Sequence, residues 1–556
     1  MLPGARARVI PNGAGAPARA SGARAAVWRK VRRCIGVGRD ANGPPALWRP
    51  KPAGCTLRLS PAPRAGVLPS VPRHPRFPSP PMSSRPVHSR RSFLRLSAAA
   101  AWCGPQIVAS GVLRGATAPS RRLNVAVIGC GNRSRTLIPA LLEEGVNIAA
   151  LCDVEASQIR GLKTGAPARD GKKRKSGDFA SGIAQAREYG DFRRLLEAER
   201  NLDAVVIAVG QRWHQPMSAA ALGAGRHVFC EKPLAHSVAE ARAMARLVQG
   251  TKLVTQVGTQ GGATDAFRRS MEIIQAGLLG PVREVHCWMD RTFPPSVRVA
   301  RDADPLPADL NWDAWCGPSP VHPFKEHYLG GCLQWGRWLD YGDGHLADMG
   351  AHAHNLPLRA LELGAPVKVA VKSSEPALDS YPAENSFRWD FAARGKYPAV
   401  SVWWHDGPRA APPAELTRDL VATYGKVPTN GCLFIGEKGI LCADAWGQKG
   451  VMRLRGDASP KCRGVLDHEA QRNLPAVYPR TPGQNHLAEF LEACKGGPPT
   501  FQNFEVAARA AEFGMTGIVA LRVGREITWD SAALKAPGCP EADRWIHLPQ
   551  RRDWLA

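Results

Sequence analysis

Short apolar runs alternate with amphipathic stretches between residues 121 and 257. The runs are rich in β-branched residues, and each ends near a glycine or a polar turn: Leu123–Ile128, Val146–Cys152, Asp203–Val209, Arg226–Cys230 and Leu253–Val257. Runs of this length without polar alternation are typical of strands that are buried on both faces of a parallel sheet. Because helical stretches separate them, we predict a doubly wound α/β domain over residues 121–257.

After residue 258 the hydrophobic period changes to two, with few helices between the alternating segments. Strands are predicted at Val282–Trp288, Val367–Val371, Asn385–Ala392, Ala399–His405, Leu433–Phe434 and Gly439–Leu441. Successive strands of this kind predict one large, mainly antiparallel open-faced sheet in an α+β domain over residues 258–484. We assign substrate binding and oligomerisation to this domain. The last part, residues 485–556, contains helices and a strand that we expect to pack back on the first domain.

The net charge of +26 lies mostly in the N-terminal part of the chain. Residues 1–118 hold 20 of the 74 Lys and Arg residues and one acid, Asp40. The rest of the chain is only mildly basic, and it does not interleave basic with aromatic residues as nucleic-acid grooves do. We therefore expect no nucleic-acid partner.

The N-terminal part divides into two pieces. Residues 1–81 contain 15 prolines and 13 arginines, so we predict a disordered segment and a wrongly assigned extension, with Met82 as the true start. Residues 82–118 resemble a twin-arginine signal peptide, with Arg90 and Arg91 before a weakly apolar stretch and a cleavage site at Ala116–Ala118. This predicts an exported protein, periplasmic or secreted, without a stable membrane span. The alternative is a disordered basic tail with a chance arginine pair.

Eleven cysteines follow residue 118, with no CxxC pair and no zinc-like spacing. An odd number without such spacing predicts neither a disulfide framework nor a metal site. The basic insert Lys172–Lys175 is interpreted as a solvated loop, and a role in binding the phosphate of NADP is the alternative.

The first apolar run leads directly into a glycine-rich turn. Gly129 permits a tight turn, and Gly131 lets the backbone approach a pyrophosphate at the N-terminus of the following helix. Asp153 ends the second run, where a carboxylate accepts hydrogen bonds from the adenosine ribose, so the sequence predicts NAD rather than NADP. Two features depart from the usual pattern: Ser134 replaces the third glycine, and Pro139 is expected to kink or shorten the helix.

Candidate catalytic residues occur at two places. Lys232, in Glu231-Lys232-Pro233, follows a strand of the first domain and is expected near the nicotinamide. Asp348 and His352 are spaced i, i+4, so that on a helix they share one face and suit general acid–base chemistry. The alternatives are a surface lysine, a capping Asp and a core His, or a metal site completed by His345 and His354.

These motifs together resemble the glucose–fructose oxidoreductase, inositol dehydrogenase and rhizopine-catabolism (Gfo/Idh/MocA) family, in its exported branch. The residues that carry the resemblance are Gly129–Gly131, Asp153, Glu231–Pro233, Gln256–Gln260, Trp312–Pro320, Trp335–Trp338 and Asp348–Pro357. The resemblance implies that Lys232, Asp348 and His352 line the junction of nicotinamide and sugar. It also implies cofactor contacts from Gly129, Gly131, Asn132, Arg133, Asp153, Trp213, His214, Glu231 and Lys232. One departure is Val209-Gly210-Gln211-Arg212 before Trp213 and His214, where relatives often read Thr-Pro-Asp-His.

The leading functional hypothesis is an NAD-dependent oxidoreductase that acts on a sugar or polyol hydroxyl. An NAD-dependent glycoside hydrolase or lyase, with tightly bound and recycled NAD, is the alternative. A non-catalytic sugar- or cofactor-binding protein is a third hypothesis, and the complete Lys232, Asp348 and His352 set argues against it. We expect a homo-oligomer, either a dimer or a tetramer.

Overall fold

The computed structural model describes residues 122–165 and 179–554. The predicted extension, the start at Met82, the signal peptide and the Lys172–Lys175 loop lie outside the described residues. Within those residues, no helix is long and apolar enough to cross a membrane.

A six-stranded parallel sheet forms the centre of the first domain. Its strands are β1 (Asn124–Ile128), β2 (Asn147–Cys152), β3 (Arg187–Tyr189), β4 (Ala204–Ile207), β5 (His227–Cys230) and β6 (Thr255–Val257). The strand order is β3-β2-β1-β4-β5-β6. The switch in direction beside β1 places the carboxyl ends of β1 and β4 at one crevice, which is where such sheets bind ligands. The predicted doubly wound fold is confirmed.

Helices cover both faces of this sheet. They are α1 (Ser134–Glu143), α2 (Ala156–Thr164), α3 (Ala180–Ile183), α4 (Phe192–Ala198), α5 (His214–Gly223) and α6 (Val238–Leu247). Helix α1 is not shortened at Pro139, which lies inside it. The hydroxyl of Ser134 is buried and donates to the carbonyl of Gly129. The residue in place of the third glycine therefore closes the turn at the start of α1.

A nine-stranded sheet forms the second domain. Its strands are β7 (Val282–Met289), β8 (Lys368–Ser373), β9 (Asn385–Phe391), β10 (Val400–Asp406), β11 (Asn430–Gly436), β12 (Gly439–Ala443), β13 (Gly450–Leu454), β14 (Arg463–Gly464) and β15 (Ile527–Thr528). The order is β14-β13-β12-β11-β7-β10-β9-β8-β15. Strand β10 runs parallel to β7, while the other pairs are antiparallel. The prediction of a large, mainly antiparallel sheet is confirmed.

One face of this sheet packs against helices. In β9, Phe387, Trp389 and Phe391 point to the buried side, and in β10 Val402 and Trp404 do the same. The helices in this part of the chain are α7 (Asp265–Gln275), α8 (Trp312–Cys316), α9 (Cys332–Trp335), α10 (Gly344–Asp348), α11 (Gly350–Ala353), α12 (Asn355–Ala360) and α13 (Arg418–Tyr424). The alternation of hydrophobic and polar residues along these strands therefore indicates a sheet with one buried face.

The C-terminal helices α14 (His486–Cys494), α15 (Phe504–Val523) and α16 (Asp543–Ile546) end the fold. The first half of α15 packs in the core of the first domain, and its second half packs in the core of the second. The following strand differs from our prediction, because β15 pairs with β8 of the second sheet rather than packing on the first domain. This pairing buries the Ile527 side chain in the core of the second domain, which stabilises β15 beside β8.

Candidate functional site

The glycine-rich turn leaves space beside its backbone. Gly129 has a φ of +89°, and a side chain there would collide with the carbonyl of Ala208. A Cβ at Gly131, in contrast, would meet nothing within 4 Å. A tight turn followed by open backbone at the start of α1 fits a pyrophosphate group, whose charge the helix N-terminus stabilises.

The Asp153 carboxylate, just after β2, closes onto this turn. Its Oδ2 accepts from the Cys130 N–H at 2.7 Å, and its Oδ1 accepts from the Glu155 N–H at 2.9 Å. Burial raises the pKa of Asp153 to about 6. The carboxylate therefore stays mostly ionised at neutral pH and is held at the strand end where the ribose contact was predicted. That contact stays a prediction.

Arg133 and Glu231 join the two sides of the crevice. The Arg133 Nε lies 2.6 Å from the Glu231 carboxylate. Gly258 makes room for that carboxylate, since a Cβ there would lie 2.6 Å from its atoms. Asn132, beside Arg133, faces the carbonyl of Gly330 at 3.5 Å. The turn after β1 is thus tied to the strand end that carries Lys232.

Lys232 reaches across to the second domain. Its Nζ donates to the Asp348 Oδ1 at 2.5 Å and to the Asp348 carbonyl at 3.0 Å. Burial acts to lower the pKa of Lys232, but Asp348 and Glu231 outweigh it and the pKa is raised. Burial acts to raise the pKa of Asp348, but Lys232 outweighs it and the pKa is lowered. The two groups are therefore an ionised pair.

His352 lies beside this pair in a different protonation state. Asp348 ends α10 and His352 lies in α11, so Met349 separates two short helices where one was expected. Burial, together with the charge of Lys232, lowers the pKa of His352 well below its ordinary value. Its buried Nδ1 has no hydrogen-bond partner among the described residues. A neutral imidazole with a free nitrogen can accept a proton.

Further polar atoms surround the carboxyl ends of β5 and β6. Of the buried side-chain atoms without a hydrogen-bond partner in the described part of the chain, four lie in this region: Gln256 Oε1, Thr259 Oγ1, Gln260 Oε1 and His486 Nε2. Buried polar groups normally find partners, so such a group of atoms points to a polar ligand. The donors and acceptors present suit the ribose hydroxyls and carboxamide of a nicotinamide nucleotide.

Trp213 and His214 have protein partners in the structure. The Trp213 indole donates to the Ala314 carbonyl at 3.1 Å, and its ring contacts Phe192 and Trp554. The His214 ring lies within hydrogen-bond distance of the Pro233 and Val209 carbonyls. His214 therefore holds the segment next to Lys232, and the direct cofactor contacts expected of both residues stay a prediction.

Two residues before Trp213, Gln211 and Arg212, join the domains. Gln211 Oε1 accepts from the Asp343 N–H at 2.6 Å, immediately before α10. The buried Arg212 guanidinium donates to the carbonyls of Trp315, Cys316 and Tyr341. It also lies 4.0 Å above the Trp315 ring. We call Gln211 and Arg212 the interdomain latch.

His345 and His354 do not complete a metal site with Asp348 and His352. The His345 ring stacks on Phe293 at 3.9 Å, and the His354 ring packs among three aromatic rings: Trp389, Trp404 and Phe513. Burial lowers the pKa of His345 to about 4 and that of His354 to about 3. Across the described residues, no group of three His, Cys, Asp or Glu side chains is arranged to hold a metal ion.

Sequence reasoning missed three residues at the site. Arg291 lies 3.8 Å from Asp348, the Trp446 ring lies 6.3 Å from that of His352, and His486 lies near Glu231. Arg291 lies just after the predicted strand Val282–Trp288, and His486 follows a helix-capping Asn. Neither of these sequence positions indicates that the side chain lies near the carboxyl ends of the strands of the first domain.

Two family models match the chain. Residues 123–259 match the NAD-binding Rossmann fold of the Gfo/Idh/MocA oxidoreductase family, and residues 270–390 match its C-terminal alpha/beta domain. The first domain is therefore an NAD-binding domain.

Curated relatives match only part of the chain. A glycosyl hydrolase family 109 protein of Stenotrophomonas maltophilia is 34% identical over 145 residues, which are 26% of this chain and 29% of that protein. An inositol 2-dehydrogenase of Burkholderia multivorans is 30% identical over 169 residues, 30% of this chain and 45% of that protein. The chain thus spans less than half the length of either relative.

Solved structures share the fold. A WlbA dehydrogenase from Chromobacterium violaceum, solved with NADH and UDP-GlcNAcA, matches with a TM-score of 0.50 at 13% identity. The match covers 74% of this chain and 97% of that one. At this identity the likeness extends to the fold alone.

Proposed function

We propose that this chain is an NAD-dependent oxidoreductase acting on a sugar or polyol hydroxyl, a proposal supported by the matches of residues 123–259 and 270–390 to the two domain models of the Gfo/Idh/MocA oxidoreductase family. The observation that supports this most is the cluster of Lys232, Asp348 and His352 at the carboxyl end of β5. In this cluster Lys232 is protonated, whereas the His352 imidazole is neutral. Neighbouring groups with shifted pKa values are typical of acid–base sites.

Each of the three residues has a distinct proposed role. His352, neutral and with a free Nδ1, accepts the proton of the substrate hydroxyl. Lys232 stabilises the developing alkoxide with its fixed positive charge. Asp348 positions the Lys232 ammonium and keeps it protonated. Bound NAD supplies the hydride acceptor.

The groups that would hold NAD are those at the glycine turn and the neighbouring strand ends. Gly131 and the N-terminus of α1 would receive the pyrophosphate, and Asp153 the adenosine ribose. Gln256, Thr259 and His486 have free polar atoms for the nicotinamide half. We propose NAD rather than NADP, since the ionised Asp153 would repel a 2′-phosphate.

A second candidate function is glycoside cleavage with a recycled cofactor. The 34% identity to a glycosyl hydrolase family 109 protein favours it, although the match covers only 26% of this chain. In such an enzyme the sugar would be oxidised transiently and reduced again, so the net reaction would leave the oxidation states of NAD and of the sugar unchanged.

The nucleotide released from purified protein separates the two candidates. The protein is denatured, and the nucleotide is identified and its stoichiometry and redox state are measured. Tightly bound NAD near one per chain favours a recycling enzyme, whereas binding that dissociates on dialysis and returns on addition of NAD favours a dehydrogenase. Absence of NAD binding in both experiments contradicts the proposed function.

A further inference from the structure

One positively charged side chain at the site, Arg291, has no carboxylate of the described residues within hydrogen-bond distance. Arg133 pairs with Glu231 at 2.6 Å, and Lys232 pairs with Asp348 at 2.5 Å. Arg291 has Asp348 as its only ion-pair partner among the described residues, at 3.8 Å, which is beyond hydrogen-bond distance. The cluster therefore carries one surplus positive charge.

The Arg291 side chain is available to a ligand. It follows β7, and 38% of its side-chain surface is exposed, whereas Lys232 and Asp348 are 16% and 10% exposed. The charge of Arg291 acts on the nearby Cys332 and His345, which places it close to the starts of α9 and α10. Its N–H groups have no close acceptor within the described residues.

Other titratable groups at the site add no negative charge. His352 and His345 are neutral at pH 7, because burial lowers the pKa of each. Burial raises the pKa of the Cys332 thiol to about 11, so it is also neutral. Apart from the Arg133–Glu231 pair, Lys232 and Arg291 share one carboxylate, that of Asp348, and an anionic substrate group would remove the imbalance.

We propose that the substrate is a sugar or polyol that bears a carboxylate, and that Arg291 binds this carboxylate. The inference rests on the proposed function and adds the substrate class. A guanidinium donates two parallel N–H bonds to a planar carboxylate, which gives both affinity and orientation. A phosphate ester carries more charge than one free guanidinium balances, so a carboxylate is the better match.

Equilibrium binding to the NAD-loaded protein tests this directly. Calorimetric titrations compare glucuronate and galacturonate with their neutral parents, glucose and galactose, and with glucose 6-phosphate. We expect at least one acid to bind roughly tenfold or more tightly than its parent, since charge-assisted bonds are about twice as strong as neutral ones. The preference should weaken with added salt.

Variants identify the residue responsible. Arg291→Gln should remove the preference for the acid, and Arg291→Lys should keep part of it, because lysine retains the charge without the fork of donors. Arg283→Gln is the matched control: it removes an arginine from the other end of β7, where the side chain is 62% exposed. That variant should keep the full preference.

Several outcomes overturn the inference. These are equal binding of acids and parents, no binding of any probe, tightest binding of the phosphate ester, or an equal loss for acid and parent in Arg291→Gln. The last outcome would mean that Arg291 acts only on Asp348. If a neutral sugar reduces NAD while the acids do not bind, the proposed function stands and only the substrate class is wrong.

Discussion

Lys232, Asp348 and His352 lie in one cluster, yet each has a different charge because each has different neighbours. Asp348 keeps Lys232 protonated, Lys232 keeps Asp348 ionised, and burial beside Lys232 keeps His352 neutral. Removing one residue therefore changes the protonation of the other two. Their contributions to catalysis should not be additive.

Asp153 should determine the choice of nucleotide. Replacing it by Ser removes the negative charge that disfavours a 2′-phosphate, and it also removes a charge-assisted acceptor for the ribose. We expect the ratio of NADP to NAD dissociation constants to fall roughly tenfold or more. Fluorescence titration with both nucleotides measures this.

Asp203→Ser is the control for that change. Asp203 also accepts from a backbone N–H, that of Asn124 at 2.7 Å, but it lies at the amino edge of the sheet. Its loss should leave the ratio unchanged. An unchanged ratio in Asp153→Ser would contradict the ribose assignment.

Asp406, at the end of β10, should make stability depend on pH. Burial raises its pKa from 3.8 to about 7, although Asn385 and Trp404 donate to it at 2.8 and 2.7 Å. The folded state therefore binds this proton more tightly than the unfolded state, so stability falls as pH rises from about 4 to about 7. In Asp406→Asn this dependence should be smaller. Tm measured at pH 5 and pH 8 in both proteins checks it, and an identical decrease in the two would refute it.

The sequence could predict the residues whose role follows from a local motif. Lys232 follows a strand, and Asp348 and His352 are spaced i, i+4. The topology of the sheet and the family resemblance therefore predict that these three residues lie close together. Arg291 and His486 could not be predicted, because their positions depend on how β7 and α14 approach the first domain. The protein partner of Trp213 also depends on a distant segment, around Ala314.

At the scale of elements, the interdomain latch connects the loop after β4 to the segment before α10. Gln211 binds the backbone at Asp343, and Arg212 binds three carbonyls of the second domain. Since α10 ends at Asp348, we expect the latch to hold the Asp348 carboxylate at a fixed distance from Lys232. Small displacements of such groups are costly for catalysis.

Arg212→Met should therefore lower both stability and turnover. It removes the guanidinium donor of the Trp315 and Tyr341 carbonyls, at a cost of about 1–3 kcal/mol for a buried group left unpaired, whereas the Cys316 carbonyl keeps the Ser319 N–H. We expect a decrease in Tm of several degrees and a lower kcat, with little change in the KM for NAD.

Arg226→Met is the matched control for the latch. Arg226 also donates to two backbone carbonyls, those of Leu202 and Arg200 at 2.6 and 2.7 Å, but both belong to the first domain. It should lower Tm without lowering kcat. An equal loss of kcat in both variants would show that the latch has no particular effect on the site.

Most helices and strands could be predicted from the spacing of their hydrophobic residues, because buried strands and amphipathic helices have distinct sequence patterns. Strand β15 was placed against the wrong domain, since a short apolar segment does not indicate which of two sheet edges is free. The break at Met349 was also not predicted, because i, i+4 spacing fits both a continuous helix and two short ones.

At the scale of the whole molecule, we propose that residues 82–118 direct export by the twin-arginine route. That pathway carries folded proteins, which suits an enzyme that must acquire NAD before export. Arg90→Lys together with Arg91→Lys should leave the protein in the cytoplasm, because recognition requires paired guanidinium groups. Cell fractionation and immunoblotting measure this, with Arg85→Lys as the control. Normal export of the double variant would contradict the proposal.

Whether the protein transfers hydride from a carbohydrate to NAD is measured by comparing turnover of the wild type with that of His352→Ala. Purified protein with NAD is incubated with a panel of sugars, sugar acids, polyols and glycosides, and both reduced nicotinamide and carbohydrate products are measured. We expect NAD-dependent conversion of at least one compound, with a rate about 10²–10⁴-fold lower in His352→Ala and unchanged NAD affinity. Conversion that needs no NAD, or equal rates in the two proteins, would contradict it.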